Sequence, residues 1–412
     1  MKVLIIASVW PEPSSSAAGR RMMDLINLFK QQQWEVTFAC TAVDSEYCFP
    51  LHTQSVTKVR VVVNDSTFDT FIETLSPDIV LYDRFMLEEQ FSWRVEKFCP
   101  DAISILETSD LHCLRQARQA ALKDKRCFVE SDLFNEVAYR EIASIQRCDL
   151  TLIISSYEIK LLEGIFRVDE SLIHYFPFLV RPQEISENKK LWPRYENRTG
   201  FVSIGNFKHE PNWDSVQYLK QTIWPLIKKR MPGASLSIYG AYPQAKAFQL
   251  NNEAQKFYIK GRADSAQEVM LQARVCLSPL RFGAGLKGKL LEAMENGTPS
   301  ITTKLGAEAM HGSLPWGGFI SDKPEEIAAL AVDLYSNKQQ WQESQQKGLD
   351  ILHQCYNPDE HEAELIKRIE QIQNNLGEHR RRNFQGGMLR HHLLKSTKYM
   401  SLWIEEKNKK NG

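Results

Sequence analysis

The chain has 412 residues and equal numbers of basic and acidic side chains, 51 of each. This length exceeds what one ordinary hydrophobic core serves, so it predicts two domains. A formal net charge of zero excludes the overall basic excess that is typical of nucleic-acid-binding proteins, and no nucleic-acid partner is expected. The eight cysteines are scattered without metal-ligand spacing, which predicts reduced thiols and no metal site.

The apolar run at residues 3–9 is too short for a signal sequence or a membrane span, and it predicts a first strand instead. No other uncharged segment reaches the length of a span, so a cytoplasmic protein is expected.

Short β-rich runs alternate with segments of helical period along both halves of the chain. In the first half, strands are predicted near residues 3–9, 35–40, 59–63, 78–82, 102–106 and 150–154. In the second half, they are predicted near residues 201–204, 234–239, 257–260, 274–279 and 299–302. This alternation predicts the α/β class, with two doubly wound parallel sheets covered by helices on both faces.

A polar, proline-containing stretch at residues 182–199 separates the two series and predicts a linker. The expected domains are residues 1–195 and 196–355, followed by a C-terminal helix with a basic tail at 356–412. Asn212 is expected to cap the first helix of the second domain.

The segment after the strand near 274–279 is rich in glycine and then becomes helical. Gly283 and Gly285 allow the backbone to approach a ligand closely, and the free N–H groups of the following helix can bind a phosphate. Lys287 and Lys289 lie in or beside the first turn, where a cation opposes the helix dipole. The two lysines therefore predict an anionic ligand, or else full exposure to solvent.

Glu292 follows on the same helix among apolar neighbours, so its carboxylate is expected to be half-buried and in need of partners. It could accept hydrogen bonds from both hydroxyls of a ribose. The alternative is a weak surface ion pair with Lys289.

In the first half, a loop rich in proline and serine that contains Ser16 and Gly19 follows the first strand. The G-x-G-x-x-G motif of a dinucleotide fold is absent there. After the strand near 102–106 come Asp110 and His112, at the edge of the sheet where open α/β folds bind ligands. Asp110 could instead cap the next helix.

Residues 283–303 resemble the donor-binding signature of the family 4 glycosyltransferases of GT-B fold, G-x-G-x-x-x-K-x-x-E-A-M-x-x-G-x-P-x-x-x-T. The resemblance extends to Gly205, Asn206 and Phe207 before this run and to Gly306 and Glu308 after it. Many family members carry two glutamates separated by seven residues. Here Glu292 is the second, and the first position holds Ala284.

This resemblance implies two Rossmann-like domains that face each other across a cleft. It implies transfer of a sugar from a UDP- or GDP-linked donor to a hydroxyl of a glycan, glycolipid or small molecule, with retention of anomeric configuration and with neither a cofactor nor a metal. The donor-binding residues it implies are Gly205, Lys208, Arg281, Gly283, Gly285, Leu286, Lys287, Lys289, Glu292 and Glu308. The catalytic residues would be Asp110, His112, Lys289 and Glu292, and the acceptor-side loop would contain Ser16 and Gly19.

Two other functions fit the same residues. One is a nucleotide-sugar epimerase of GT-B fold. The other is a non-catalytic nucleotide-sugar or glycan-binding protein, which the Ala284 replacement suggests. Turnover of the donor with an acceptor distinguishes the transferase from both.

The tail from Glu378 onward carries nine basic and three acidic side chains with apolar residues between them. Such a segment could meet an anionic membrane at its inner face, or a glycolipid acceptor. Alternatively, it is a final helix that crosses back onto the first domain, followed by a solvated basic end.

Overall fold

The computed structural model describes residues 1–411, apart from the side chains of Leu393, Leu394 and Asn411. The predicted C-terminal segment ends at Gly412, which lies outside the described residues.

The first domain is built on a sheet of seven parallel strands. Their bounds are β1 Lys2–Ala7, β2 Glu35–Cys40, β3 Thr57–Arg60, β4 Ile79–Asp83, β5 Ile103–Glu107, β6 Leu150–Ile153 and β7 Ile173–Tyr175. The order across the sheet is β3-β2-β1-β4-β5-β6-β7, so the direction of winding reverses between β1 and β4. The helices of this half are α1 Ala17–Gln31, α2 Thr67–Leu75, α3 Phe85–Phe98, α4 His112–Lys123, α5 Glu136–Arg147, α6 Ser156–Gly164 and α7 Pro182–Leu191.

The second domain repeats this architecture with six parallel strands. Their bounds are β8 Phe201–Ile204, β9 Leu236–Tyr239, β10 Phe257–Gly261, β11 Val275–Ser278, β12 Ser300–Thr302 and β13 Gly318–Ile320, in the order β10-β9-β8-β11-β12-β13. The helices are α8 Glu210–Tyr218, α9 Trp224–Arg230, α10 Ala245–Phe248, α11 Ala266–Gln272, α12 Gly288–Glu295, α13 Lys304–Ala307, α14 Pro324–Ser336 and α15 Lys338–Cys355. A π-helical turn, Leu219–Ile223, joins α8 to α9.

Three further helices, α16 Pro358–Asn374, α17 Leu376–Arg382 and α18 Phe384–Asn411, return to the first domain. Leu365, Ile369 and Ile372 of α16 pack into the same buried cluster as α1 and β1. The basic tail is helical, and α18 packs against α3 and α5.

The strands are apolar because helices cover both faces of each sheet. In β1, Val3 and Ile5 face the α1 side, whereas Leu4 and Ile6 face the cluster on the opposite side. The α/β class with two doubly wound parallel sheets is therefore confirmed.

The sequence prediction missed β7 and β13, which have three residues each. The stretch interpreted as a linker contains α7. Asn212 does not cap a helix, because α8 already begins at Glu210 and the Asn212 side chain serves a different contact, described below.

Candidate active site

A cavity of about 640 Å³ lies between the two domains, at the carboxyl ends of their strands. The loop after β1 and the residues that follow β4 and β5 form one wall, and the loop after β8, the glycine-rich turn and the start of α12 form the other. The N-terminal ends of α1 and α12 meet here: a Cβ at Gly288 would lie 2.4 Å from the Cβ of Ala17. Both helices therefore direct their positive dipole ends toward the cleft.

The glycine-rich turn packs directly against the first domain. Gly283 has a φ of 150° and Gly285 a φ of 62°, conformations that favour glycine. A Cβ at Gly285 would lie 2.9 Å from the Cβ of Asp110. The Gly285 amide donates to Oε1 of the buried Glu158 at 2.8 Å, and the same oxygen accepts from the Leu111 amide at 3.0 Å. Glu158 thus joins the turn to the segment that carries Asp110.

Lys289 and Glu292 lie on the cleft side of α12. Nζ of Lys289 donates to Oδ1 of Asn212 at 2.6 Å, and burial lowers the pKa of Lys289 to about 8. Gly205 makes room for this contact, since a Cβ there would lie 2.8 Å from Nζ. Burial, with the nearby charge of Glu295, raises the pKa of Glu292 to about 7. Both groups would be stabilised in their charged forms by a ligand that supplies an anion to one and hydroxyl donors to the other.

Lys287 is buried rather than exposed, with 7% of its surface accessible. Its ammonium donates to the carbonyl of Gly285 at 2.5 Å and stabilises the turn from within. Burial lowers the pKa of Lys287 and raises that of Glu158, which lies near it. Leu286 is buried beside Lys287 and lines the cleft.

Asp110 and His112 face the cleft from the first domain. Nε2 of His112 lies 3.5 Å from Oδ1 of Asp110, and Arg115 forms an ion pair with the same carboxylate. Burial favours a raised pKa for Asp110, but the charge of Arg115 prevails and lowers it to about 2. Burial lowers the pKa of His112 to about 4. At neutral pH the pair therefore consists of an ionised carboxylate and a neutral imidazole.

Asp110 does not cap α4. The carboxylate of Glu141 accepts from the amides of His112 at 3.0 Å and Cys113 at 2.9 Å. The Asp110 side chain is therefore not required to cap α4.

The loop after β1 is held by the start of α1. The Ser16 hydroxyl accepts from the Gly19 amide at 3.1 Å and caps the helix. A Cβ at Gly19 would lie 2.4 Å from the carbonyl oxygen of Glu12, so the loop closes tightly over this residue. Ser16 lines the cleft, whereas Gly19 lies behind it.

Three of the expected donor-binding residues have distinct positions. Lys208 lines the cleft, and its ammonium lies 4.0 Å from the ring centre of Tyr242. Arg281 and Glu308 are not among the described residues that line the cleft. Arg281 pairs with Asp214 at 2.5 Å, and Glu308 accepts two hydrogen bonds from Arg118 at 2.7 and 2.9 Å.

Sequence reasoning did not single out Arg84, Arg115 or Arg262, all of which line the cleft together with His209. Arg262 donates to the hydroxyls of Ser14 at 3.0 Å and Ser15 at 2.7 Å, across the two domains. Burial lowers the pKa of His209 to about 4. Arg84 directly follows β4, so an inspection of polar residues at every strand end could have found it.

The fold and the cleft define a two-domain α/β protein in which two helix N-termini meet at the domain interface. Residues 198–337 match the family model described as Glycosyl transferases group 1. No curated protein sequence matches the chain significantly.

Solved structures of GT-B glycosyltransferases share the fold over nearly the whole chain. A sucrose-phosphate synthase from Thermosynechococcus elongatus has a TM-score of 0.68 at 13% identity, covering 90% of this chain and 99% of its own. HepE of Anabaena, in complex with UDP and glucose, has a TM-score of 0.61 at 12% identity, covering 92% and 99%. A UDP-forming α,α-trehalose-phosphate synthase from Burkholderia xenovorans has a TM-score of 0.61 at 8% identity, covering 89% and 98%.

These findings confirm the GT-B fold and the resemblance to the group 1 glycosyltransferases. The second domain carries the group 1 match, and the whole chain has the fold of these glycosyltransferases.

Within residues 1–411, no helix is both long enough and apolar enough to span a membrane. The same residues contain no cluster of three or more His, Cys, Asp or Glu side chains arranged for a metal ion.

Proposed function

We propose that the enzyme transfers a sugar from a UDP- or GDP-linked donor to the hydroxyl of a glycan, glycolipid or small-molecule acceptor, with retention of configuration. The resemblance of residues 283–303 to the donor-binding signature of the family supports the nucleotide donor and the retention. The similar HepE structures were determined with UDP and with UDP-glucose, and the similar trehalose-phosphate synthase is described as UDP-forming.

The observation that carries this proposal is the shared orientation of Lys289 and Glu292 on the cleft side of α12. A diphosphate at the helix N-terminus would meet the free amides and the ammonium of Lys289. The ribose would then lie one helical turn further on, where its two hydroxyls can donate to the carboxylate of Glu292. Burial lowers the pKa of Lys289 to about 8 and raises the pKa of Glu292 to about 7, so it favours the neutral form of each group. This ligand would raise the pKa of Lys289 and lower that of Glu292.

During transfer, the bond between the anomeric carbon and the phosphate oxygen breaks while the bond to the acceptor oxygen forms. The nucleoside diphosphate leaves and takes the acceptor proton. Lys289 and the turn amides stabilise the charge that develops on the leaving phosphate, so the proposed reaction needs neither a cofactor nor a divalent metal. The ionised Asp110 stabilises positive charge on the sugar ring, and the neutral His112 can hydrogen-bond a sugar hydroxyl.

The acceptor would enter from the first domain, between the Ser16 loop and the segment that carries Asp110. Several contacts cross the cleft, such as Arg262 to Ser15 at 2.7 Å and Tyr242 to Glu12 at 2.6 Å. The domain closure that these contacts favour would exclude water and limit donor hydrolysis.

We further propose a cytoplasmic role in polysaccharide or glycolipid synthesis, with peripheral membrane contact through α18. Its outward side exposes Phe384, Met388, Tyr399, Met400 and Trp403 together with several lysines. Anionic lipid headgroups complement this charge, and the aromatic rings suit the membrane interface. Co-sedimentation with phosphatidylglycerol vesicles that is lost in a Phe384→Ser/Trp403→Ser double variant would support this contact; equal sedimentation of both proteins would contradict it.

The enzymatic proposal is tested by incubating the protein with UDP- and GDP-sugars and pooled acceptors and measuring the release of nucleoside diphosphate. We expect acceptor-dependent release that falls at least about 100-fold in Lys289→Ala and Glu292→Ala, because each loses a charge-assisted contact to the donor. Lys304→Ala is the matched control, since its side chain is 84% exposed. Donor binding without turnover would instead indicate a non-catalytic binding protein, and conversion of the donor sugar without an acceptor would indicate an epimerase.

A further inference from the structure

The wall of the cleft formed by the first domain carries an arginine that the donor site does not explain. Arg84 lines the cleft together with Asp110, His112 and Arg115. Arg115 is neutralised by its ion pair with Asp110. The nearest carboxylate oxygen to the Arg84 guanidinium, Oδ2 of Asp83, is 3.6 Å away. Among the described residues, the guanidinium of Arg84 makes no hydrogen bond.

The backbone of Arg84 is held in a conformation that arginine rarely adopts. Its φ is 73° and its ψ is 156°, a region that is almost restricted to glycine and is strained for other residues. The Arg84 amide donates to the carbonyl of Glu107 at 2.8 Å, which fixes this conformation beside β5. Strain of this kind usually marks a functional position, because glycine would fold there more easily.

Arg84 also lies where an open α/β sheet binds ligands. It directly follows β4, and the sheet reverses its winding between β1 and β4. A crevice forms outside the carboxyl ends of the two strands at such a reversal. The amide end of α3, which begins at Phe85, adds positive potential at this point. The crevice belongs to the first domain, whereas Lys289 and Glu292 belong to the second.

We propose that the acceptor carries an anionic group, a phosphate ester or a carboxylate, and that Arg84 binds it. This inference rests on the proposed transferase function and specifies its acceptor. The planar guanidinium can donate two parallel hydrogen bonds to such a group. Arg84 is then the residue that selects charged acceptors over neutral ones.

The test is a calorimetric titration of the full chain saturated with UDP, so that the donor's phosphate site is filled. The probes are inorganic phosphate, glucose 6-phosphate, glucuronate and, as the neutral control, glucose. We expect the anionic probes to bind and glucose to bind at least about 10-fold more weakly, as a charge-assisted hydrogen bond implies. A parallel arm with phosphatidylcholine vesicles that contain phosphatidylinositol distinguishes a lipid headgroup from a free phosphate as the source of the anion.

Two substitutions separate binding from folding. Arg84→Gln should weaken the binding of the anionic probes at least about 10-fold and leave the Kd of UDP within about twofold of the wild-type value. Arg84→Gly should also lose anion binding. Its Tm should equal or exceed that of the wild type, because glycine adopts this backbone conformation without strain. Arg126→Gln, at a 42% exposed arginine that pairs with Asp132, is the control and should change neither quantity.

Anion binding of equal strength in the wild type and Arg84→Gln would overturn the proposal, as would the absence of anion binding in the wild type. Loss of UDP binding in Arg84→Gln would also overturn it, because Arg84 would then serve the donor. If neither UDP nor GDP binds the wild type, the nucleotide donor is contradicted, and the anion titration without nucleotide still decides the role of Arg84.

Discussion

At the scale of single residues, Lys289 is the group whose protonation should respond most directly to the donor. Burial lowers its pKa to about 8, and a bound diphosphate would raise that pKa again. Above this pH, binding of UDP should therefore take up a proton, and the affinity should decrease as the pH rises through 8. Calorimetry in two buffers of different ionisation enthalpy measures the uptake.

Lys289→Gln should abolish this proton uptake and weaken UDP binding by about 10- to 100-fold. Proton uptake that persists in the variant would assign the titration to another group in the cleft.

A second residue-scale prediction concerns Gly285. Its φ of 62° and the 2.9 Å that would separate an added Cβ from that of Asp110 both oppose a side chain. Gly285→Ala should lower the free energy of unfolding by about 1–3 kcal/mol and weaken UDP binding, because the turn must move. Urea unfolding and UDP titration measure these effects. Gly164→Ala is the control, since a Cβ there meets nothing within 4 Å; equal behaviour of the two variants would contradict the prediction.

The difference between the predicted and the missed site residues has a simple physical cause. Lys289 and Glu292 belong to one contiguous run, in which helix position and local polarity are readable from neighbours. Arg84 and Arg262 follow separate strands and line one cleft only after the two domains pack together. Glu308 follows the donor signature in the sequence and is therefore expected to bind the donor. In the structure its carboxylate instead binds Arg118, which is distant in the sequence.

At the scale of elements, Asp149 holds the C-terminal helices on the first domain. Its carboxylate is 1% exposed and accepts hydrogen bonds from Arg380 at 2.8 Å and Arg390 at 3.1 Å. Asp149→Asn would leave two cations without their partner, so the free energy of unfolding should fall by about 3 kcal/mol near neutral pH. Urea unfolding measures the change.

The pH dependence of this contact has a definite sign. Burial opposes ionisation of Asp149, but Arg380 and Arg390 lower its pKa to about 2, from an ordinary value of 3.8. The stabilisation is therefore complete above the ordinary pKa and is lost as the pH falls toward 2. The difference in the free energy of unfolding between the wild type and Asp149→Asn should therefore decrease over that pH range. Glu378→Gln, at an exposed ion pair, should behave like the wild type at every pH.

Element prediction succeeded for the longer buried strands, whereas the ten-residue helix α7 lies in the stretch interpreted as a linker. The predicted strands in both domains are present, because buried parallel strands are continuously apolar. The missed strands β7 and β13 have three residues each and pair on one side only, at the edges of their sheets. Their pairing depends on the neighbouring strand rather than on a local pattern, so the sequence carries little signal for either.

At the scale of the whole molecule, ion pairs between the domains set the width of the cleft. Arg20 binds Glu295 at 2.6 Å, and Arg118 binds both Glu308 and the Gly283 carbonyl. Neither Arg118 nor Glu308 is among the described residues that line the cleft. Residues that do not contact a substrate in the cleft therefore help to hold the two domains together.

Arg118→Gln should therefore open the unliganded enzyme. Arg118 is 7% exposed and Glu308 19% exposed in the closed arrangement, so the substitution leaves a largely buried carboxylate unpaired only when the domains are closed. A cost of about 2–3 kcal/mol would shift the equilibrium toward the open form roughly 30- to 160-fold. Small-angle X-ray scattering should then give a larger radius of gyration, which UDP reduces because it adds contacts to the closed form.

Arg126→Gln, which breaks a pair within the first domain, should leave the scattering unchanged. If Arg118→Gln also gives the wild-type curve and the wild-type UDP affinity, closure depends on the buried apolar cluster that contains Phe178 of the first domain and Leu290 of the second rather than on this ion pair.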